Sequence, residues 1–151
     1  MSLKLANPIA AATVAAGIAN GYAVSAAVVD CGGSLRALQR ADNVRPHTLS
    51  SSQIKACTSA SAKNTTPAMM GGSQQNPAGA NLVHMPGPLL LGGGVPIKVD
   101  SEVIDAVGVG GAQGGHPRRA VSHGRNWQGQ GASQVKSALS PRHLVLFSYH
   151  F

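Results

Sequence analysis

The segment 88–111, PLLLGGGVPIKVDSEVIDAVGVGG, carries the clearest β-strand signal in the chain. Two apolar runs flank the polar pair Asp100-Ser101, and three glycines precede the first of these runs. Short apolar runs bounded by turn residues are typical of buried strands. The segment therefore predicts a β-hairpin that turns at Asp100-Ser101 and follows a glycine bend.

A second hairpin is expected further upstream. The run YAVSAAVVD (22–30) predicts a strand, CGG (31–33) a tight turn, and SLRALQR (34–40) the returning strand, because its apolar residues alternate with polar ones. Asp30 is expected to cap the turn. The chain as a whole is rich in small residues, including 19 glycines, and this composition favours close packing of the backbone.

Helices are expected before and between the hairpins. Residues 3–19 have an apolar stripe at helical spacing and end at Asn20-Gly21, a typical stop signal. Residues 46–63 predict a helix that Thr48 or Ser50 caps through its hydroxyl. Its buried side is expected to comprise Ile54, Cys57 and Ala60.

The order helix, hairpin, helices, hairpin predicts an α+β domain built on an antiparallel sheet. The segment 64–87 is rich in turn residues and is expected to form a loop or a short helix. A length of 151 residues is enough for one domain with a normal core.

The net charge of +7 belongs mainly to the end of the chain. Residues 1–116 have a net charge of +2, whereas residues 117–151 have five Lys or Arg, no acidic residue and a net charge of +5. A nucleic-acid arm would combine such charge with stacking aromatic residues, and Trp127 is the only aromatic residue near Arg118, Arg119 and Arg125. We therefore expect no nucleic-acid partner.

Other function classes lack their motifs. The glycines around 108–113 do not complete the G-x-G-x-x-G pattern of a dinucleotide site, and no apolar run is long enough to span a membrane. Two distant cysteines do not suggest a disulfide framework. The histidines lack metal-ligand spacing, so no metal is expected; they are His47, His84, His116, His123, His143 and His150.

Three segments resemble the GlcG/HbpS family, which includes the C-terminal domain of PduO-type proteins. They are VSAAVVDCGGSLRALQRADNVRP (24–46), IKACTSASA (54–62) and GGGVPIKVDSEVIDAVGVGGAQGGH (92–116), in the family's order and spacing. The resemblance implies a profilin-like fold with a five-stranded antiparallel sheet, flanking helices and assembly into a homo-oligomer such as a hexamer or octamer. It also implies a protein that binds haem, a related tetrapyrrole or another small ligand. We expect a cytoplasmic location.

The sequence departs from the family pattern in two places. Residues 117–151 replace the family's acidic closing helix, so we divide the chain into a domain of residues 1–116 and an atypical basic segment of residues 117–151. We hypothesise that this segment is a frameshifted reading of that helix. Asp105 stands where the family usually has glycine, and it is expected to place a carboxylate near the sheet edge.

The candidate ligand-binding residues are Arg45, His47, Lys55, His84 and Met85. Lys55 would anchor a ligand carboxylate or a haem propionate, or would form a salt bridge with Asp30 or Asp42. His or Met could supply an axial ligand to haem, the one cofactor suggested. The pocket is expected between the sheet and the 46–63 helix.

The sequence leaves three function classes open. The first is a protein that binds a tetrapyrrole or a small carboxylated catabolite in a catabolic or cofactor-related pathway. The second is a cofactor-independent lyase or isomerase for a small aromatic acid such as a hydroxylaminobenzoate, with His47 and Lys55 as catalytic residues. The third is a structural subunit of an oligomer.

Overall fold

The computed structural model describes residues 2–99 and 101–112. These residues form one antiparallel sheet of strand order β2-β1-β4-β3, with helices packed against it. The predicted α+β class with an antiparallel sheet and flanking helices is confirmed. In chain order the elements are α1 (Leu3–Ala19), β1 (Ser25–Asp30), β2 (Leu35–Arg40), α2 (His47–Ala62), α3 (Thr66–Gln75), the short 3-10 helix α4 (Ala80–His84), β3 (Gly94–Val99) and β4 (Glu102–Gly110).

The expected five-stranded sheet is wrong for this part of the chain, which contains four strands. The apolar run Leu89–Leu91 does not add a strand, because side chains of the helices take its backbone hydrogen bonds. The amide of Leu89 donates to the Thr58 hydroxyl (2.9 Å), and the carbonyl of Leu91 accepts from the Thr66 hydroxyl (2.7 Å). The second hairpin therefore starts at Gly94.

The two predicted hairpins meet through their inner strands. Strand β1 pairs with β4 along its whole length, from Ser25 opposite Gly110 to Asp30 opposite Asp105. Asp105 accordingly lies inside the sheet, and the expectation that it lies near the sheet edge is wrong. The reason is that β4 is flanked by β1 and by β3.

The two faces of the sheet are covered by different helices. On one face, α1 contributes Ala6, Ile9 and Ala10 to a buried apolar cluster with residues such as Val28 and Ile97. On the other face lies α2, where buried alanines of the helix pack against small side chains of the inner strands. This second cluster comprises Val29, Ala56, Ala60 and Ala106.

Glycines allow α2 to lie unusually close to the sheet. A methyl group added at Gly108 would collide with the backbone of Ser52 and Ala56. A methyl group added at Gly94 or at Gly110 would likewise collide with backbone atoms of the same helix. We call Gly94, Gly108 and Gly110 the glycine seam, since they let the α2 backbone rest directly on the strands.

The start of α2 differs from the predicted cap. The N-cap position is Pro46, which has no side chain able to cap, and neither Thr48 nor Ser50 occupies it. Thr48 is instead buried inside the first turn, where its hydroxyl donates to the carbonyl of Arg45 (2.7 Å). Because that proton is used, the Ser25 hydroxyl donates to the Thr48 oxygen (2.8 Å), which ties the helix start to β1.

Asp30 caps the β1–β2 turn as predicted. Its Oδ1 accepts from the amides of Ser34 (2.8 Å) and Gly32 (3.0 Å), while Oδ2 pairs with Arg36 (3.1 Å). The amide of Ser34 is the main cause that lowers the pKa of this carboxyl, and the Arg36 charge adds to it.

The boundary at residue 116, the segment 117–151 and its frameshift hypothesis lie outside the described residues. Among the helices that the structure does describe, none is long and apolar enough to cross a membrane.

Candidate functional site

A cavity of about 340 Å³ lies where the first half of α2 meets one end of the sheet. Its walls come from four parts of the chain: the start of β1, the segment leading into α2 with the helix itself, the bend before β3, and the end of β4. The lining residues are Ala23, Asn43, Val44, Arg45, His47, Thr48, Ser51, Lys55, Leu91, Gly92, Gly111 and Ala112.

One stripe of α2 supplies three of the polar side chains. His47, Ser51 and Lys55 are spaced four residues apart, so they follow one another along one side of the helix. His47 is exposed at the cavity mouth, whereas Ser51 and Lys55 are half-buried. Arg45 precedes the helix and is exposed on the same cavity.

The side chain of Lys55 is fixed by contacts with the end of β4 and with the bend before β3. Its Nζ donates to the backbone carbonyl of Val109 at 3.0 Å. The stem lies beneath Gly93, where an added Cβ would be 3.4 Å from both Cδ and Nζ. Gly93 has a φ of +123°, a conformation that favours glycine, so the bend and the lysine position depend on each other.

No ion pair joins Lys55 to Asp30 or Asp42 within residues 2–99 and 101–112. The predicted salt bridge is therefore wrong, because Asp30 is occupied by Arg36 and by its own turn. Burial lowers the pKa of the Lys55 ammonium group, since the charged form loses part of its hydration.

The cavity has a strongly cationic lining. Arg45 and Lys55 are basic, and His47 adds an imidazole that can donate hydrogen bonds. The lining residues within the described ranges include no Asp or Glu. A site of this composition attracts anions, and guanidinium and ammonium groups both form strong charge-assisted hydrogen bonds with carboxylates.

The structure brings together three of the five candidate residues. Arg45, His47 and Lys55 line the cavity, but His84 and Met85 do not. His84 ends the short helix α4, and both of these side chains are exposed. His84 and Met85 are residue types that can ligate haem iron, but the fold does not place them beside Arg45, His47 and Lys55.

Sequence reasoning missed Asn43 and Ser51, which also line the cavity. The spacing of His47, Ser51 and Lys55 was a signal that could have identified Ser51. Asn43 had no comparable signal in the sequence, because its place depends on a left-handed backbone (φ 59°) in the segment before α2.

The described residues provide neither a metal-binding cluster nor an activated cysteine. No group of three or more His, Cys, Asp or Glu that could hold a metal occurs among the residues for which the structure gives positions. Cys31 and Cys57 are free thiols. Burial raises the pKa of Cys57, whose thiol donates to the carbonyl of Gly33 at 3.4 Å, so it is not an activated nucleophile.

The fold and the cavity define a class: small α+β proteins whose antiparallel sheet and one helix enclose a cationic pocket. The chain belongs to the family described as haem degrading protein HbpS-like, whose model matches residues 1–124. Protein GlcG of Escherichia coli (strain K12) is 38% identical over 111 residues, which cover 72% of this chain and 80% of GlcG. The predicted membership of the GlcG/HbpS family is thereby confirmed.

Solved structures agree with this assignment. The crystal structure of HbpS superposes with a TM-score of 0.75 at 29% identity, covering 92% of this chain and 89% of HbpS. The crystal structure of a PduOC–haem complex gives a TM-score of 0.69 at 18% identity, covering 88% and 90%. At that identity the second likeness shows the fold alone.

Proposed function

We propose that this protein binds a small carboxylated ligand in the cavity beside α2. The observation that carries the proposal is the clustering of Arg45, His47 and Lys55 on one cavity lined, in its described part, without Asp or Glu. The volume of about 340 Å³ is near the lower end of the range of small-molecule sites, roughly 300–1,000 Å³. A small acid suits that volume better than a large one.

Haem is a second candidate, favoured by the family and by the relatives whose names refer to haem. The cationic lining suits the two propionates, with Arg45 and Lys55 as their partners, and His47 is the residue of the cavity that could ligate iron. The small volume means that the propionate edge would enter the cavity while much of the ring lies outside it. When bound, haem would supply redox chemistry that the side chains lack.

A cofactor-independent lyase or isomerase acting on a small aromatic acid is the enzymatic alternative. In that role His47 would be the general acid or base, and Lys55 would hold the acid or stabilise developing negative charge. His84 and Met85 are left out of all these proposals, since they do not line the cavity.

We further propose that the protein forms a homo-oligomer and is located in the cytoplasm. A structural subunit of such an oligomer is the third function class. Exposed apolar side chains on the α4 region and the bend before β3 support association; they are Leu82, Val83, Met85 and Leu91. The free thiols of Cys31 and Cys57 suit a reducing compartment.

Calorimetric titration tests the proposed binding. Benzoate, acetate and haemin are titrated into the purified protein, and at least one is expected to bind with an affinity that falls as salt rises. Arg45→Ala should weaken binding by about tenfold to a hundredfold, since a hydrogen bond to a charged group contributes about 1.5–3 kcal/mol. Haemin binding would also produce a Soret band that His47→Ala shifts or removes.

Lys63→Ala is the matched control, because Lys63 is an exposed lysine at the other end of α2 and does not line the cavity. It should bind each ligand as the unaltered protein does. Equal weakening by Lys63→Ala and Arg45→Ala would mean that general surface charge, and not the cavity, attracts the acid. Failure of all three ligands to bind would contradict the proposal.

A further inference from the structure

The amine of Lys55 is placed as a reactive group, not only as a fixed charge. Its stem is packed under Gly93, and Nζ is fixed by the Val109 carbonyl at 3.0 Å. A neutral amine that donates one N–H to this carbonyl keeps its lone pair for another partner. Since Lys55 also lines the cavity, that lone pair is available to a bound ligand.

The surroundings of Lys55 make its neutral amine easier to reach than that of an exposed lysine. No carboxylate of the described residues lines the cavity to stabilise the ammonium form, and the basic side chain of Arg45 lies on the same cavity. Burial is the cause that lowers the pKa of Lys55. Lysines that act as nucleophiles towards carbonyl groups are activated by this kind of desolvation, or by a neighbouring cation.

We propose that Lys55 forms a reversible imine with small 2-oxo acids bound in the cavity. This inference rests on the proposed function, because the same cationic lining must hold the carboxylate of the oxo acid. A 2-oxo acid has its carbonyl carbon next to the carboxylate. Arg45 and Lys55 line the same cavity, so with Arg45 on the carboxylate the adjoining carbonyl carbon is the atom that Lys55 would attack.

The chemistry is balanced without an oxidant or a reductant. The Nζ lone pair forms a bond to the carbonyl carbon, and the carbonyl electron pair moves to oxygen, which takes up a proton. The proton that oxygen takes up is the first one lost from nitrogen. His47 then carries the second proton from nitrogen to the hydroxyl, which leaves as water, and the nitrogen lone pair completes the imine. One amine and one oxo acid are consumed, and one imine and one water are formed.

Reductive trapping tests the inference. The protein is incubated with pyruvate and cyanoborohydride near pH 8, where free lysines are almost fully protonated, and the labelled peptides are identified by mass spectrometry. Lys55 is expected to be labelled severalfold faster than the exposed Lys4 and Lys63, because the cavity holds the oxo acid beside it and burial lowers the pKa of its amine. The two exposed lysines are internal controls within the same sample.

Two variants separate the roles of the residues. Lys55→Arg replaces the primary amine with a guanidinium group and should give no label at position 55, while Lys4 and Lys63 are labelled as in the unaltered protein. Arg45→Ala should slow the labelling of Lys55 by pyruvate while leaving its labelling by acetone, which has no carboxylate, largely unchanged. Slowing of both reactions to the same degree would overturn the role given to Arg45.

Lactate, which has no carbonyl group to form an imine, distinguishes this inference from the proposed function. If lactate and pyruvate bind but Lys55 is labelled no faster than Lys4 and Lys63, the imine is excluded and the carboxylate site stands. If neither acid binds and Lys55 is not labelled preferentially, both proposals fail.

Discussion

Asp105 is a carboxylate with no exposed surface, on the inner strand β4 and directly opposite Asp30 of β1. Burial is the main cause that raises the pKa of this carboxyl, and the negative charge of Asp30 adds to it. A buried group whose pKa is raised destabilises the fold at any pH where it is ionised. The ionised form of Asp105 therefore lowers the free energy of unfolding, and the size of this effect depends on pH.

Asp105→Asn is expected to increase the free energy of unfolding at neutral pH, because the variant buries no charge. The folded protein holds the Asp105 proton to a higher pH than the unfolded chain does, so the cost is present at neutral pH. It disappears as the pH falls below 3.8, the ordinary value for this group. Urea unfolding at pH 7 and at pH 3.5 measures the difference between variant and parent.

The difference in free energy of unfolding between the Asp105→Asn variant and its parent should be smaller at pH 3.5 than at pH 7. The exposed Asp42 gives the matched control, since Asp42→Asn removes one carboxylate without removing a buried charge. A gap that widens on acidification would contradict the assignment of a raised pKa to Asp105.

At the scale of elements, the glycine seam decides how α2 packs. Helix and strands meet backbone to backbone at Gly94, Gly108 and Gly110, so the interface has little room for larger side chains. Side chains of α2 that face the sheet are accordingly small, and Ser52, Ala56 and Ser59 have no exposed surface. Dense packing of this kind resists the insertion of even one methyl group.

Gly108→Ala is expected to destabilise the protein by about 2 kcal/mol or more, because the added methyl group must push α2 away from β4. Thermal and urea unfolding measure the loss. Gly72→Ala is the matched control: Gly72 lies in α3 with nothing within 4 Å of an added Cβ. There alanine should be neutral or stabilise the helix by up to about 1 kcal/mol. Equal effects of Gly108→Ala and Gly72→Ala on the free energy of unfolding would contradict the close packing of α2 on the glycine seam.

The same packing explains what the sequence could predict about these elements. The hairpins were predictable because apolar runs and turn residues alternate at fixed distances along the chain. The buried side of α2 was not, since Ile54 is exposed at 38% and Cys57 is half-buried, although Ala60 is buried as expected. Hydrophobicity misleads here because contact with the glycine seam selects small residues, including serines, and not the most apolar ones.

At the scale of the whole molecule, the candidate site is assembled from segments far apart in sequence. Arg45 and Lys55 come from one region, whereas Gly92 and Gly111 come from others. Arg45 and Lys55 lie in segments that resemble the family, whereas His47 was proposed from the chemistry of its side chain at the start of the same helix. The exclusion of His84 and Met85 required the path of the chain after α3, which no local pattern determines.

Association of whole molecules is a further prediction. Light scattering coupled to gel filtration is expected to give a mass several times that of the single chain, consistent with a hexamer or an octamer. Val83→Glu should reduce that mass, since Val83 is an apolar side chain exposed at 60% and a charge there would oppose a dry contact. Lys63→Glu provides a charge-changing control elsewhere on the surface. A uniform monomer would contradict the prediction.

The missing methyl groups of Gly94, Gly108 and Gly110 also limit how the pocket can be re-engineered. The depth at which Lys55 sits is fixed by contact between two backbones, so substitutions at the glycine seam, or at the buried α2 residues that pack on it, would shift the amine and the fold together. Segments 43–45 and 91–92 carry no such restriction. Ligand preference should therefore be altered there, by changing the rim of the pocket while its floor is left intact.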